Sequence, residues 1–287
     1  MSSPPSHSLP YLANCSLLFT EQPLLQRPAA AAAAGFTAIE FWWPWPDQPV
    51  PADRDADRFV AAVEEAGVSL IGLNLFGGDV AGPDCGVLSI PARSAEFRDN
   101  IDAATGIGDR LGVRGFNALY GNRVDGVAAA AQDELATENI ALAAKAAAGI
   151  GAAIFIEPVS GPKPYPLRTA DDAVAVVDRA RAAGAANVTF LCDLYHLASN
   201  GDDVDAAIAA HTEVTGHVQI ADAPGRGEPG SGQLDLDRYL LALQNRGYQG
   251  WVSLEYKPTT STEASLAWLP RGRRAAPAVP GRPEDNS

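Results

Sequence analysis

Acidic and amide side chains recur at regular intervals in the second half of this chain, each near the end of a short apolar run. Glu157 follows the run in FIEP, Asp193 that in LCDLYH and Glu255 that in LEYKP, while Gln219 lies within VQIAD. The intervals between them are 36, 26 and 36 residues, close to the length of one strand and its following helix. If the runs are consecutive parallel strands, these four side chains meet at one edge.

Oxygen atoms of this kind favour a hard divalent cation. Carboxylate and amide oxygens suit Mn²⁺ or Mg²⁺, whereas zinc prefers the nitrogen of His and the sulfur of Cys. Any one of these residues could instead be a buried polar group that bonds to nearby backbone, but four in register point to a shared site. The sequence therefore predicts a metal site with these ligands: Glu157, Asp193, Gln219 and Glu255.

Further polar residues near the ends of the runs could contact a substrate. His196, three residues after Asp193, could reach a substrate oxygen rather than the metal. Arg226 lies in PGRGEPGSG, where glycines let the backbone approach a ligand and a guanidinium can pair with a carboxylate. Lys257 could do the same, or point to water. The predicted substrate-binding residues are His196, Arg226, Asn74 and Lys257.

Other residues in the same regions have no single interpretation. Asn117 could donate a hydrogen bond at the mouth of the site, and Glu228 could either brace Arg226 or touch substrate. The sequence FWWPW at 41–45 could exclude water from the site or only pack a loop. Spacing assigns no role to Asn14 or Glu40, and two histidines are expected to be structural or solvated, His211 and His217.

The elements that must position these residues are eight apolar runs that alternate with Ala-rich segments of helical period. Several runs are almost continuously apolar, as expected for parallel strands that are buried on both faces. Thr169 before two aspartates predicts a helix N-cap, and Pro28 suits the first position of the first helix. The strand candidates cover residues 11–17, 37–43, 68–75, 114–121, 152–159, 188–196, 217–222 and 251–258.

Eight such units predict an α/β fold, a single (β/α)8 TIM barrel over residues 10–270. An open doubly wound sheet is the alternative, but no GxGxxG fingerprint follows the first strand. Residues 1–9 and 271–287 show no apolar period, and we expect both segments to be disordered.

Composition narrows the class of partner. The chain has 21 basic against 35 acidic residues, a net charge of -14, which argues against a surface for nucleic acid or anionic membrane. Three cysteines without CxxC spacing predict neither a disulfide framework nor a cysteine zinc site. Without a signal-peptide pattern or a long apolar stretch, we expect a cytoplasmic protein with a small-molecule partner, and a homo-oligomer stays open.

The motifs ANCSLLF, IEFWWP, FIEPV, CDLYH, HVQIADAPGRGEPGSG and GWVSLEYKP together resemble the hydroxypyruvate isomerase family of xylose isomerase-like barrels. The resemblance runs from about Tyr11 to Arg271. It implies that Glu157 and Glu255 are the catalytic acid/base pair as well as metal ligands. The implied reaction is metal-dependent aldose–ketose isomerisation of a small hydroxy-oxo acid, hydroxypyruvate to 2-hydroxy-3-oxopropanoate, through an enediolate, as part of glyoxylate metabolism. Departures from the family around Asn74 and at Trp42 concern the pocket walls, and hence the identity of the substrate.

Three alternatives remain on sequence grounds. A 2-oxo-tetronate isomerase or a ketose 3-epimerase of the same superfamily would use the same two glutamates, although an epimerase usually has His where Gln219 stands. An apurinic endonuclease-like phosphodiesterase needs a histidine-rich site, and this chain has four histidines. A non-catalytic sugar-acid binding protein belongs to another class, and intact ligands at all four strand ends argue against it.

Overall fold

A computed structural model describes residues 6–275, which form a closed barrel of eight parallel strands. Each strand pairs with the next along the chain, and the last pairs with the first. The predicted single TIM barrel is therefore confirmed. The strands, β1 to β8, are Tyr11–Asn14, Ala38–Phe41, Ser69–Asn74, Gly115–Asn117, Ala153–Ile156, Val188–Asp193, Thr215–Ile220 and Val252–Leu254.

Helices follow the strands and cover the outside of the barrel. In the described chain, short 3-10 segments lie at Leu24–Gln26, Pro91–Arg93, Thr212–Val214, Leu266–Trp268 and Arg271–Arg273. The α-helices, α1 to α9, are Arg27–Ala34, Asp53–Ala66, Ser94–Leu111, Ala129–Gly149, Ala170–Ala182, Leu194–Asn200, Val204–His211, Leu236–Asn245 and Thr262–Ser265. Within residues 6–275, none of these helices is both long enough and apolar enough to cross a membrane.

All eight predicted strands exist, but each ends earlier than predicted. The clearest case is the sixth run, predicted over 188–196, in which the strand ends at Asp193 and α6 begins at the next residue. The Asp193 carboxylate accepts a hydrogen bond from the backbone N–H of His196 at 3.0 Å and so caps the helix. The apolar run continues because the first turn of α6 is itself buried, which hydrophobicity alone cannot distinguish from a strand.

Local signals at the helix ends are confirmed. Thr169 caps α5 by accepting a hydrogen bond from the backbone N–H of Asp172 at 3.2 Å, and the Asp172 carboxylate accepts one from the N–H of Thr169 at 2.9 Å. Pro28 lies in the first turn of α1. The reciprocal cap at Thr169 ends the long loop between β5 and α5, which contributes to the site described below.

The described chain includes residues on either side of the predicted domain, 10–270. Ser6 bonds to Asp237 in α8 through both its backbone N–H and its hydroxyl, at 2.8 and 2.7 Å. Arg273 donates to the carbonyl oxygen of His7 at 2.8 Å, so both ends pack together. These contacts involve side chains spaced too far apart in sequence to give a periodic signal. The predicted disorder of residues 1–5 and 276–287 lies outside the described residues.

Candidate active site

The structure places the four predicted metal ligands at the carboxyl-terminal ends of four consecutive strands. Glu157 directly follows β5, Asp193 ends β6, and Glu255 directly follows β8. Gln219 lies in β7, opposite Asp193 in the register of the two strands. All four side chains are buried, at most 4% exposed. These positions agree with the spacing argument, because successive parallel strands present their ends on one face, while the role of the four residues as metal ligands stays a prediction.

His196 belongs to the same cluster. Potential ligand atoms of Glu157, Asp193 and His196 all lie within 4.8 Å of one another, so this buried group could hold a metal ion. His196 Nε2 lies 3.8 Å from Glu157 Oε1 and 3.7 Å from Asp193 Oδ2, in contact range but beyond hydrogen-bond distance.

The hydrogen bonds of His196 indicate whether its Nε2 donates a hydrogen bond in the site or binds a cation. Its Nδ1 accepts from the backbone N–H of Ser160 at 3.0 Å, and the Ser160 hydroxyl lies 2.7 Å from the same atom. Burial lowers the pKa of His196 well below its ordinary value, so the ring is neutral and its one proton is on Nε2. Because that Nε2–H faces the carboxylates, His196 is placed to donate to an oxygen in the site rather than to ligate a cation.

Gln219 provides the test of whether a cation suits these residues. Its Nε2 donates to Glu40 at 2.9 Å, whereas its Oε1 is buried and has no hydrogen-bond partner among the described residues. A buried carbonyl oxygen without a partner is costly, and a cation would satisfy it. Together with the carboxylates of Glu157, Asp193 and Glu255, this oxygen makes a donor set that matches a hard divalent ion.

The pKa values of the three site carboxyl groups are all raised. Burial, with the neighbouring Asp193, raises the pKa of Glu157 to about 8, and burial raises that of Asp193 to about 6. Burial also raises the pKa of Glu255 well above its ordinary value, although Arg226 acts in the opposite sense. Crowded carboxylates of this kind hold protons until a cation replaces them.

Arg226 lies beside Glu255 in the loop after β7. Its Nη2 donates to Glu255 Oε1 at 2.7 Å, and its guanidinium carbon lies 5.3 Å from the centre of the Tyr195 ring. Arg226 Nε is buried and has no hydrogen-bond partner in the described part of the chain. The indole N–H of Trp42 donates to the same Glu255 oxygen at 3.2 Å. Arg226 therefore braces a predicted catalytic carboxylate while keeping a donor free for a ligand.

A cavity of about 140 Å³ opens at this end of the barrel. It is small beside the ~300–1,000 Å³ of pockets for drug-sized ligands, which favours a small substrate. An adjacent cavity of about 240 Å³ shares Trp42, Asn74 and Val80 with it. The smaller cavity is lined by Trp42, Asn74, Val80, Cys85, Leu119, Glu157, Val159, Ser160, Pro162, Lys163, His196, Arg226 and Glu255.

Lys163 was missed by the sequence analysis. It lies in the loop between β5 and α5, lines the cavity, and donates to the carbonyl oxygen of Val80 at 3.2 Å and to that of Asp84. Among the described residues it forms no ion pair with a carboxylate. The available signal was its position six residues after Glu157, between Pro162 and Pro164, in a loop long enough to fold over the strand ends.

Two other predictions need correction. Lys257 was predicted to bind substrate, but its side chain is exposed and does not line the cavity, while its backbone N–H donates to the carbonyl oxygen of Arg226 at 2.7 Å. Glu228 accepts from the hydroxyl and backbone N–H of Thr259 at 2.6 and 3.0 Å, and so neither braces Arg226 nor faces the cavity. Both residues lie in loops after strand ends, but neither side chain lines the cavity.

Beneath the site lies a polar network that sequence spacing could not assign. Asn117 donates to Glu157 Oε2 at 2.6 Å. This bond lowers the pKa of Glu157, whereas burial raises it. His217 Nε2 lies 2.7 Å from Glu40 Oε2 inside the barrel. These partners are 40 and 177 residues apart, so no local pattern could connect them.

Comparison with known proteins identifies the family of this barrel. A family model described as xylose isomerase-like TIM barrel matches residues 28–272. The chain belongs to this family.

Curated relatives carry isomerase names. A putative hydroxypyruvate isomerase of Streptomyces coelicolor is 55% identical over 92% of this chain and 96% of its own length. The hydroxypyruvate isomerase of Escherichia coli is 32% identical, with 91% and 98% coverage. A 2-oxo-tetronate isomerase of Cupriavidus necator is also 32% identical, with 90% and 96% coverage. These similarities confirm the predicted hydroxypyruvate isomerase family and its enzymatic class, that of isomerases.

One similar solved structure bears a different description. A chain from Brucella melitensis described as AP endonuclease, family 2, has a TM-score of 0.81 at 33% identity, covering 91% of this chain and 98% of that one. Among residues 6–275, the histidines do not gather into the histidine-rich site expected of a phosphodiesterase. His196 alone joins the buried cluster, whereas the others bond elsewhere: His7 to Tyr11, His211 to Asp171 and His217 to Glu40.

Proposed function

We propose that this protein is a metal-dependent aldose–ketose isomerase that interconverts hydroxypyruvate and 2-hydroxy-3-oxopropanoate. The observation that carries the proposal is the buried Oε1 of Gln219, which has no hydrogen-bond partner in the described part of the chain. The neighbouring strand ends present three buried carboxylates. This donor set supports a cation site, and the names of the relatives support the reaction.

Glu157, Asp193, Gln219 and Glu255 would hold the cation, which we propose to be Mn²⁺ or Mg²⁺ because all four donors are oxygens. When bound, such an ion would polarise the carbonyl and neighbouring hydroxyl oxygens of the substrate and so acidify the C–H between them.

The proton transfers are assigned to Glu157 and Glu255. One carboxylate takes a proton from C3 of hydroxypyruvate, and the C–H electron pair becomes the C2–C3 double bond of the enediolate. A carboxylic acid then returns a proton to C2, and the hydroxyl proton of O3 passes to O2, which leaves an aldehyde at C3. General acid/base steps of this kind are typically worth about 10²- to 10⁴-fold in rate.

Positive charge in the cavity favours an acid as substrate. Arg226 has a buried free donor in Nε, and Lys163 lines the cavity without a carboxylate partner in residues 6–275. We assign both to the substrate carboxylate, and His196 Nε2–H to a substrate oxygen. A neutral ketose, the substrate class of the 3-epimerases, would leave Lys163 without a counter-charge and Arg226 Nε without an acceptor among the described residues. Gln219 also stands where an epimerase usually has His.

A four-carbon 2-oxo acid is the second candidate. The relative from Cupriavidus necator named 2-oxo-tetronate isomerase is as similar to this chain as the Escherichia coli enzyme. The adjacent cavity of about 240 Å³ behind Trp42 and Val80 offers room for one further carbon and its hydroxyl.

The deciding experiment measures turnover by chelator-stripped protein with and without Mn²⁺ or Mg²⁺, with the aldehyde product coupled to a tartronate semialdehyde reductase. Metal-dependent turnover of hydroxypyruvate that is lost in Glu255→Gln supports the proposal. Metal-dependent turnover of a four-carbon 2-oxo acid alone would transfer the function to the second candidate. Ligand binding without turnover of any of these would favour a sugar-acid binding protein. The cytoplasmic location and the oligomeric state stay predictions.

A further inference from the structure

Glu40 is a buried carboxylate to which the proposed reaction assigns no role. It lies in β2, inside the barrel, and is 4% exposed. Its side chain receives hydrogen bonds from three other strands. The donors are His217 Nε2 at 2.7 Å, Asn14 Nδ2 and Gln219 Nε2 at 2.9 Å each, and Ser253 Oγ at 2.5 Å.

The space around Glu40 is shaped for it. Gly72 of β3 stands opposite Glu40 in the register of the two strands. A Cβ atom at Gly72 would lie 3.0 Å from Glu40 Oε2, closer than side chains normally pack. The glycine therefore makes room for the carboxylate to reach across the barrel to β7.

Donors surround the Glu40 carboxylate on both oxygens. Its Oε1 accepts from Asn14 Nδ2, Gln219 Nε2 and Ser253 Oγ. Its Oε2 lies 2.7 Å from His217 Nε2. A carboxylate oxygen in this setting is an acceptor, so every group that contacts it must present a donor.

This requirement determines which way the Gln219 amide points. Its NH₂ group must face Glu40, because the reversed amide would set its carbonyl oxygen against a carboxylate oxygen. With the nitrogen held at 2.9 Å, Gln219 Oε1 is directed away from Glu40, where it finds no protein partner among the described residues. The oxygen that is available to a cation is thus selected by a residue that does not touch the cation.

Asn14 extends the same control to Glu255. Its Nδ2 donates to Glu40 Oε1 at 2.9 Å and to Glu255 Oε2 at 3.2 Å, one bond for each of its two hydrogens. Two of the four proposed ligands are therefore oriented through Glu40, one directly and one through Asn14.

We propose that Glu40 is a positioning residue that orients the Gln219 amide, and thereby sets the affinity of the barrel for a divalent cation. The inference rests on the metal site of the proposed function. It adds a residue that hydrogen-bonds to a metal ligand from the side away from the metal. Removal of such a partner typically lowers metal affinity by about 10- to 100-fold.

The test uses two variants of unchanged shape: the first replaces the donor of the Glu40–Gln219 hydrogen bond by an acceptor, and the second exchanges donor and acceptor. In Gln219→Glu, Coulomb attraction alone predicts tighter Mn²⁺ binding, because a carboxylate replaces a neutral ligand. If Glu40 positions the ligand, two carboxylates oppose each other and Mn²⁺ binding weakens by about 10- to 100-fold. Mn²⁺ affinity is measured on the full chain by isothermal titration calorimetry and by the electron paramagnetic resonance signal of free Mn²⁺.

The second variant adds Glu40→Gln to Gln219→Glu and restores the net charge of the natural protein. The amide at position 40 can then donate to the carboxylate at position 219, so Mn²⁺ affinity recovers. The recovery is only partial, because Asn14 loses the carboxylate acceptor of Glu40. Both changes are isosteric, and folding is checked by the melting temperature of each variant.

Gln132→Glu is the matched control. Gln132 is a buried glutamine of α4 that donates to the carbonyl oxygens of Asn122 and Ser89 at 3.1 and 3.3 Å, away from the site. The same substitution there should lower the melting temperature and leave Mn²⁺ affinity unchanged.

The outcomes separate this inference from the proposed function. Weaker binding in Gln219→Glu with recovery in the double variant supports positioning by Glu40. Equal or tighter binding in Gln219→Glu, or no recovery in the double variant, overturns the positioning role of Glu40. In that case, metal-dependent turnover by the natural chain would still support the proposed function. Absence of Mn²⁺ binding to the natural chain would overturn both.

Discussion

Arg226 Nη2 lies 2.7 Å from Glu255 Oε1, a buried ion pair that joins the loop after β7 to the end of β8. Arg226 adopts a positive φ of 61° to make this contact, a conformation that non-glycine residues rarely adopt. The arginine predicted to hold substrate thus also holds a predicted catalytic carboxylate in place.

We expect Arg226→Gln to lower kcat/KM for hydroxypyruvate by about 10²- to 10³-fold, because truncating one partner of a buried charge pair typically costs 2–5 kcal/mol. Arg226→Lys should restore little of the lost kcat/KM, since the ammonium of a lysine cannot bind Glu255 and a second carboxylate at once as the planar guanidinium does. Steady-state kinetics measures both. Arg110→Gln is the control, because Arg110 pairs with Asp57 at the same 2.7 Å but on the exposed surface. An Arg226→Gln enzyme with kinetics like those of the control would exclude this role.

Glu157→Gln and Glu255→Gln should each lower kcat by about 10²- to 10⁴-fold, the usual contribution of a general acid or base. An amide retains a carbonyl oxygen for the cation but cannot accept a proton from carbon. Glu228→Gln should leave kcat unchanged, because Glu228 bonds to Thr259 outside the cavity. The measurement is single-turnover kinetics with saturating Mn²⁺, and full activity in either site variant would remove that residue from the acid/base pair.

Lys163→Met should raise the KM for hydroxypyruvate about tenfold or more with less effect on kcat, because a cation that binds the carboxylate equally in ground and transition states contributes to KM alone. Lys257→Met should change neither, since the Lys257 side chain is exposed away from the cavity. Lys163→Arg should retain most of the affinity. The interpretation fails if the KM for a neutral ketose rises as much, which would instead indicate that Lys163 only ties its loop to Val80 and Asp84.

Cation binding should release protons. In the metal-free protein burial raises the pKa of Asp193 to about 6 and that of Glu157 to about 8, above the values of the unfolded chain. The folded protein then holds protons that the unfolded chain lacks, so stability of the metal-free form falls as pH rises from about 4, the ordinary pKa of these groups, to about 8. A cation binds the deprotonated carboxylates, and its apparent affinity should therefore rise over the same range.

Titration calorimetry of Mn²⁺ in buffers of different ionisation enthalpy counts the protons released, and thermal melts of chelator-treated protein report the stability. Release should be largest below a pH of about 6, where both carboxyl groups hold protons, and smaller near neutral pH, where Glu157 alone does. It should fade well above a pH of about 8, where Glu157 is already ionised. Binding that releases no protons at neutral pH would contradict the raised pKa values.

The eight strands and the convergence of Glu157, Asp193, Gln219 and Glu255 followed from sequence because both depend on local order. Apolar runs mark parallel strands that are buried on both faces, and the spacing of one strand and helix returns each strand end to the same face of the barrel. Spacing cannot, however, say which way a side chain turns after its strand has ended. Lys257 was placed at the site by position and turns to solvent, whereas Lys163, on a longer loop, reaches the cavity.

The sequence by itself determined the barrel, the strand-end positions of the four proposed ligands and the family resemblance, since each depends on residues that are close together or evenly spaced. Only the tertiary structure decided that Nδ1 of His196 is occupied by Ser160, that Arg226 pairs with Glu255, and that Glu40 turns the amide of Gln219. These relationships join side chains 29 to 179 residues apart. Closure of the barrel brings them within hydrogen-bond distance, in an interior where burial makes each unpaired polar atom costly enough to select one arrangement.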